Sequence, residues 1–387
     1  MDAMRKRIQA FTEGVVLMVC PVLLAVALKK ADMKGKGGGS IVAGSITPLA
    51  ALTLEAGLLP FLGQIIIVSS PPAAADGLRG LLLRASKLLL HLCALLLMAL
   101  AYGIVLLIGL DKYVNCLAGL ILAPLVPLTL RRGYLCTLDE DDGGARELES
   151  SVDFSATVTT LLFLGLEGLA LEGQSSAACH GLERLFAASL GVTYLTCALG
   201  VFIMLRGTVP PAVTGGDSAA ELLNIVLAAA IALVVVLVTA ASLREQAWLV
   251  FVPLILSFVT WMYRALLCGD GGGPAVGRTD GAEKPDPASL ELTKVTFTGF
   301  LAVAVPTFSN TPVGIPTRGF VVLSAAAVIS SLGWRLLTHN TAPPPAVVTA
   351  ANVASFFAHL CVAAAVVPFA TLAVNAINSS EPGSCRH

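Results

Sequence analysis

Glu55 is the side chain in this sequence best placed to do chemistry inside an apolar environment. It stands in Leu52-Thr53-Leu54-Glu55-Ala56-Gly57, near the middle of the apolar run from Ile41 to Val68, with Pro48 and Pro60 on either side. A carboxylate at the centre of a bilayer costs at least about 2.5 kcal/mol, so it persists there only with a partner or in a wet cavity. Prolines free backbone carbonyls and allow the broken helices that line ion and solute sites. The chemistry open to Glu55 is proton or cation coupling. The plainer alternative is a protonated carboxyl, or a pair of half-helices that brings it near an interface. His359 sits at similar depth in Ser355-Phe356-Phe357-Ala358-His359-Leu360, and Ala350, Ala354 and Ala358 form a small-residue stripe beside it. Such a stripe predicts close packing on a neighbouring helix and a buried His359 with a hydrogen-bond partner, for which Glu55 is a candidate. Histidine is the usual proton switch, although a lone buried histidine is more often structural.

Two further groups carry polarity into apolar surroundings. Glu167 and Glu172 end the run from Phe154 to Leu171, beside Gly165, Gly168 and Gly173. Lying within about a turn of the interface, they can snorkel or meet water, so they are second-rank coupling or binding candidates, with structural placement as the plainer alternative. The segment from Pro306 to Pro316 is proline-broken and offers Ser309, Asn310 and Thr311 as neutral hydrogen-bonding groups. It reads as a loop on the outer face, with a re-entrant stretch lining a solute cavity as the alternative.

Catalytic and metal chemistry find no such footing. The nine cysteines include no C-x-x-C and no His/Cys spacing that would hold zinc, so no metal or other cofactor is expected. Cys179 and Cys385 would both lie outside and are a candidate disulfide. The acidic run at Asp139 fails as a calcium loop because Gly143 falls where an oxygen ligand is required. A Gly-rich phosphate loop, a G-x-S-x-G elbow and an H-E-x-x-H helix are all missing, and the chain is not expected to be an enzyme.

The elements that position these residues follow from composition. Of 387 residues 56% are hydrophobic and only 13% charged, with a mean hydropathy of +0.85, which cannot describe a water-facing surface. This excludes the soluble enzyme classes. A net charge of -1 and a pI near 6.5 give no basic patch for nucleic acid. The runs lack the alternation of barrel strands, so the expected fold is an all-α polytopic bundle. Eleven spans are expected, with ten or twelve as the bounds: Phe11 to Leu28, Ile41 to Val68, Leu88 to Leu110, Tyr113 to Leu130, Phe154 to Leu171 and Leu185 to Leu205, then Leu222 to Leu243, Trp248 to Leu267, Leu290 to Phe308, Phe320 to Leu337 and Val347 to Val374. The first span has a competing reading as a cleaved signal, since Arg5, Lys6 and Arg7 precede a run that ends in Ala25-Val26-Ala27.

Fifteen of the 24 Lys and Arg residues fall on the side of the N-terminus, which predicts a cytoplasmic N-terminus and an outside or lumenal C-terminus, despite four lysines between Lys29 and Lys36 in the first outer loop. The plasma membrane is the default residence. Residues 131–153 and 268–289 read as flexible hydrophilic loops on the cytoplasmic side.

Similar words flank those two loops. Arg132-Gly133-Tyr134-Leu135-Cys136 before the first resembles Arg264-Ala265-Leu266-Leu267-Cys268 before the second, and Phe154-Ser155 after the first resembles Phe297-Thr298 after the second. Read as a duplication of a four-helix unit, they give candidate repeats at 88–205 and 222–337. A single membrane domain of this kind, in contact with lipid, is expected to be a secondary transporter or carrier of a small solute, coupled to protons through Glu55. The alternative is a non-transporting scaffold, assembly or lipid-associated protein, in which mid-membrane polar residues tolerate replacement.

Overall fold

The computed structural model describes residues 2–27, 40–69, 75–107, 145–172, 183–208, 216–267, 287–304, 307, 314–338 and 345–380. Among these residues there are ten α-helices and no strand. They are α1 (Asp2–Ala27), α2 (Ser40–Ser69), α3 (Ala75–Leu107), α4 (Ala145–Glu172), α5 (Glu183–Thr208), α6 (Gly216–Leu243), α7 (Val252–Leu267), α8 (Pro287–Ala304), α9 (Ile315–Thr338) and α10 (Pro345–Ser380). A 3-10 segment, Arg244–Phe251, joins α6 to α7. Each expected span has its helix except the fourth, Tyr113 to Leu130, which lies outside the described residues.

Several boundaries differ from expectation. The third and fifth spans begin 13 and nine residues earlier, at Ala75 and Ala145, because helix propensity continues over residues such as Arg84, Arg146 and Glu149 where hydropathy stops. The last part of the hydrophilic stretch 131–153 is therefore helical. The eighth span opens with the 3-10 turn and not an α-helix, and α8 is described from Pro287 to Ala304. Among the described residues six helices are long and apolar enough to cross a membrane, with windows at Gly44–Gly63, Arg84–Leu106, Ala188–Arg206, Ile225–Leu243, Ile315–Leu337 and Val347–Asn375.

The hydroxyls in these helices are largely satisfied locally. Thr53 donates to Leu49 O at 2.6 Å, Thr196 to Val192 O at 2.7 Å, Thr239 to Val235 O at 2.7 Å and Ser330 to Ala326 O at 2.7 Å. Bonding back one turn lets a polar side chain occupy an apolar interior without an open donor.

The chain divides into two compact units, Met1–Ile231 and Ala232–His387, with the boundary inside α6. In the first, α1 packs on α2, α4 and α5, while α3 packs on α2, α4 and α5 from its own side, and α4 lies along α5. Phe11, Met18, Ile46, Leu90, Leu97 and Phe163 fill the space between them and are fully buried. Two close approaches hold this bundle. Thr12 Oγ shares its proton between Ile8 O at 2.9 Å and Gly57 O at 3.1 Å, joining α1 to α2. Ser155 Oγ donates to Gly200 O at 2.9 Å, joining α4 to α5. Backbone can be reached in this way only where the facing residue has no side chain, hence glycine at both places.

In the second unit α9 is central and packs against α7, α8, α10 and the 3-10 turn. The stripe Ala350, Ala354 and Ala358 is buried and α10 packs on α9, the close helix–helix contact that small residues predict. Cys361 extends the stripe and packs with Ala326 and Ala327 of α9.

Candidate polar site in the membrane helices

Hydroxyls that bond back one turn need no other partner, so the informative polar atoms are those that do not. Three buried side chains of the first unit have an atom with no hydrogen-bond partner among the described residues: Thr159 Oγ1, Glu167 Oε1 and Tyr194 Oη. Thr159 and Tyr194 are 0% exposed and Glu167 is 8% exposed. An open buried donor or acceptor costs roughly 1–3 kcal/mol, so three in one helical bundle need an explanation.

Two packed helices supply them. Thr159 and Glu167 lie on α4, eight residues apart and so close to one face. Tyr194 and Cys197 lie three apart on one face of α5. Cys197 is within electrostatic reach of Glu167, and Tyr194 of Cys197. On α3, Tyr102 brings its ring to 6.2 Å from that of Tyr194, inclined at 51°. The site is a carboxyl group, two phenols and a thiol carried by three packed helices, while Thr159 stands two turns away along α4, against Gly200. Its chemistry is that of binding and releasing a proton or a small polar group, since carboxyl and phenol both donate and accept.

The sequence-derived candidates are distributed differently from expectation. Glu55 is exposed on α2, in line with the exposed Leu52, Leu59 and Leu62. His359 is also exposed, and not buried as its alanine stripe suggested, because it stands one residue past Ala358 and so turns off the packed face. Its Nδ1 donates to Ser355 O at 2.8 Å, and its ring lies 6.0 Å from that of Trp334 on α9. Glu55 belongs to the first unit and His359 to the second, each on a surface of its own unit.

Glu167 departs from expectation in the other direction. It is buried where a side chain able to snorkel was expected, because α4 continues to Glu172 and keeps the carboxyl inside the bundle. Ser309, Asn310 and Thr311, and both cysteines of the candidate disulfide, Cys179 and Cys385, lie outside the described residues. Thr159 and Tyr194 were missed, since Thr and Tyr are ordinary in apolar helices and only the missing partner marks them.

Among the described residues the chain is all-helical, and six of these helices are long and apolar enough to span a bilayer, the pattern of a helical integral membrane protein. No protein-family model, no curated protein and no solved structure matches it.

Proposed function

We propose that the protein is a carrier of a small solute across a membrane, coupled to proton movement. The observation that supports this reading is the set of buried polar atoms without partners at Glu167, Tyr194 and Thr159. A protein that only needed to fold would place apolar side chains there, whereas a carrier keeps polar groups at the bundle interior for its cargo. Glu167 replaces Glu55 as the coupling group in this reading, because a coupling carboxyl belongs in the interior and Glu55 is on the surface. The N-terminus is placed in the cytoplasm on its excess of Lys and Arg, with the plasma membrane as the residence and no catalysis by the chain itself.

The experiment is a thermal-shift screen of the detergent-purified protein against sugars, amino acids, organic acids and nucleosides, followed by uptake of any stabilising solute into proteoliposomes with and without a proton gradient. Ligand binding to the native state raises the melting temperature by linkage, whatever the transport rate. Stabilisation by one solute, lost in Glu167→Gln, supports the carrier. If no solute stabilises the protein or enters vesicles faster than it enters empty ones, the carrier reading fails.

The second reading, a membrane scaffold or assembly protein, has its own observation. Glu55, Asn352 and His359 are polar side chains exposed on two apolar helices. Only 17% of the Val347–Asn375 window is buried. That reading expects affinity capture of a stoichiometric membrane partner, with replacement of Glu167 tolerated.

A further inference from the structure

The first two helices and the pair α4–α5 keep the same register. Position 12 of α1 corresponds to 155 of α4, and position 57 of α2 to 200 of α5, 143 positions apart in both cases. The two hydroxyl-to-glycine bonds obey the same spacing, Thr12 to Gly57 and Ser155 to Gly200, as do the bonds of Thr53 to Leu49 and Thr196 to Val192. Burial follows it too: Ile46, Ala50, Thr53, Gly57 and Pro60 are buried on α2, and Ser189, Thr193, Thr196, Gly200 and Ile203 on α5. With a shift of 141, the buried positions Leu90, Cys93, Ala94 and Leu97 of α3 fall on Ile231, Val234, Val235 and Val238 of α6.

Sequence words mark the same frame. Phe11-Thr12, Phe154-Ser155 and Phe297-Thr298 recur every 143 residues. This frame differs from the pairing of 88–205 with 222–337. The words around the two hydrophilic loops close one copy and open the next.

We infer that α4–α6 is a second copy of the α1–α3 unit, and that Glu167, with Cys197 and Tyr194 near it, is a proton-binding site that the first copy lacks. The comparison between copies carries the assignment. At the positions of Thr159, Glu167 and Tyr194, the first copy has Val16, Leu24 and Ala51. It builds the same hairpin with the same hydroxyl-to-glycine bond, with Leu24 exposed and Val16 and Ala51 half-buried, so the hairpin itself does not require polarity at those positions. All three are polar in the second copy, buried, and each has an atom without a partner among the described residues. Groups that a fold can do without, and that cost it stability, are kept for binding.

The occupant is a proton and not a bulky solute, since the carboxyl stands among close-packed Leu162, Phe163 and Leu166 of its own helix, all fully buried. The Glu167 carboxylate takes the proton from water at one oxygen and becomes the neutral acid, with no other bond made or broken. The titratable groups near it on α5 and α3 are Cys197, Tyr194 and Tyr102. The other described titratable side chains on the helices packed against α4 are Glu13 and Cys20 of α1, Arg84, Lys87, His91 and Cys93 of α3, and Arg206 of α5. This deepens the carrier reading and rests on it only for what the proton drives.

The test uses the full chain and two readouts that need no solute. Glu167→Leu imports the residue of the first copy. It is expected to lower the unfolding equilibrium constant about tenfold in detergent, by removing a buried polar group. Infrared spectroscopy of the same protein is expected to lose one carboxyl band that titrates with pH in the parent, while Glu55→Gln keeps that band. Glu167→Gln, close in shape, is expected to lose the band as well. If Glu167→Leu unfolds more easily than the parent, the carboxyl is structural and the inference fails. It fails equally if the titrating band survives both substitutions. Loss of the band with no solute found in the thermal-shift screen would leave the proton site standing and overturn only the carrier.

Discussion

Gly200 is where a single added methyl group should be felt most. A Cβ at that position would collide with Thr159 Oγ1 and lie 3.0 Å from Thr159 Cβ and 3.3 Å from its Cγ2. Thr159 is β-branched, held at χ1 and fully buried, so the clash cannot be relieved by swinging a flexible side chain aside. Overpacking of this kind costs about 1–3 kcal/mol. Alanine returns up to about 1 kcal/mol through its higher helix propensity. Gly200→Ala is therefore expected to destabilise the protein by about 1–2 kcal/mol, read from equilibrium unfolding of the micelle-solubilised protein by sodium dodecyl sulfate. Thr159→Ala removes both Oγ1 and Cγ2 and also takes away a buried hydroxyl without a partner, so on its own it should cost little. In the double variant most of the penalty of Gly200→Ala should disappear, a coupling of about 1 kcal/mol. Full additivity, or a Gly200→Ala protein as stable as its parent, would refute the close approach of α4 and α5 on which the polar site depends.

The companion position in the first hairpin should behave in the same direction. A Cβ on Gly57 would lie 2.9 Å from Val15 Cγ1 and 3.3 Å from Cys93 Sγ, so Gly57→Ala is expected to cost about 1–2 kcal/mol and to be partly rescued by Val15→Ala. Gly44, on the same helix, has no neighbour within 4 Å of its would-be Cβ, and Gly44→Ala is expected to stabilise by up to about 1 kcal/mol in the same unfolding assay. Ser155→Ala removes the bond to Gly200 O, and a loss of about 0.6 kcal/mol is expected, the average for a hydrogen bond between membrane helices.

Much of the helical architecture was legible because lipid leaves the chain few options. Runs of about 20 apolar residues are read from composition, and the backbone must satisfy itself within each run. Ends were less legible. Helices α3 and α4 extend past the apolar stretch over Arg84, Arg146 and Glu149, since helix propensity continues where hydropathy stops. The words of a repeat were also visible, but their frame was not. Arg132 to Cys136 and Phe154-Ser155 are separated by a hydrophilic loop, and the loop reads as the middle of a unit unless Phe11-Thr12 is set beside them.

Depth in the span was the wrong guide to burial, and the reason is geometric. Glu55 is near the middle of its span and Glu167 near the end of one, so hydropathy ranks Glu55 first. Which way a side chain points depends on its angular position about the helix, and a nearly uniform apolar run carries almost no angular signal. On α2 the small and hydroxyl residues Ala50, Thr53 and Gly57 mark the packed face, three and four residues apart. Glu55 is two residues from both Thr53 and Gly57, which turns it about 200° away from each. On α4 the marker is Ser155, and Thr159 and Glu167 follow it at four and twelve residues, within about 120° of the same side. Small and hydroxyl residues thus give the angle that hydrophobicity withholds. A carboxyl on their side of a membrane helix faces protein, and one on the opposite side does not.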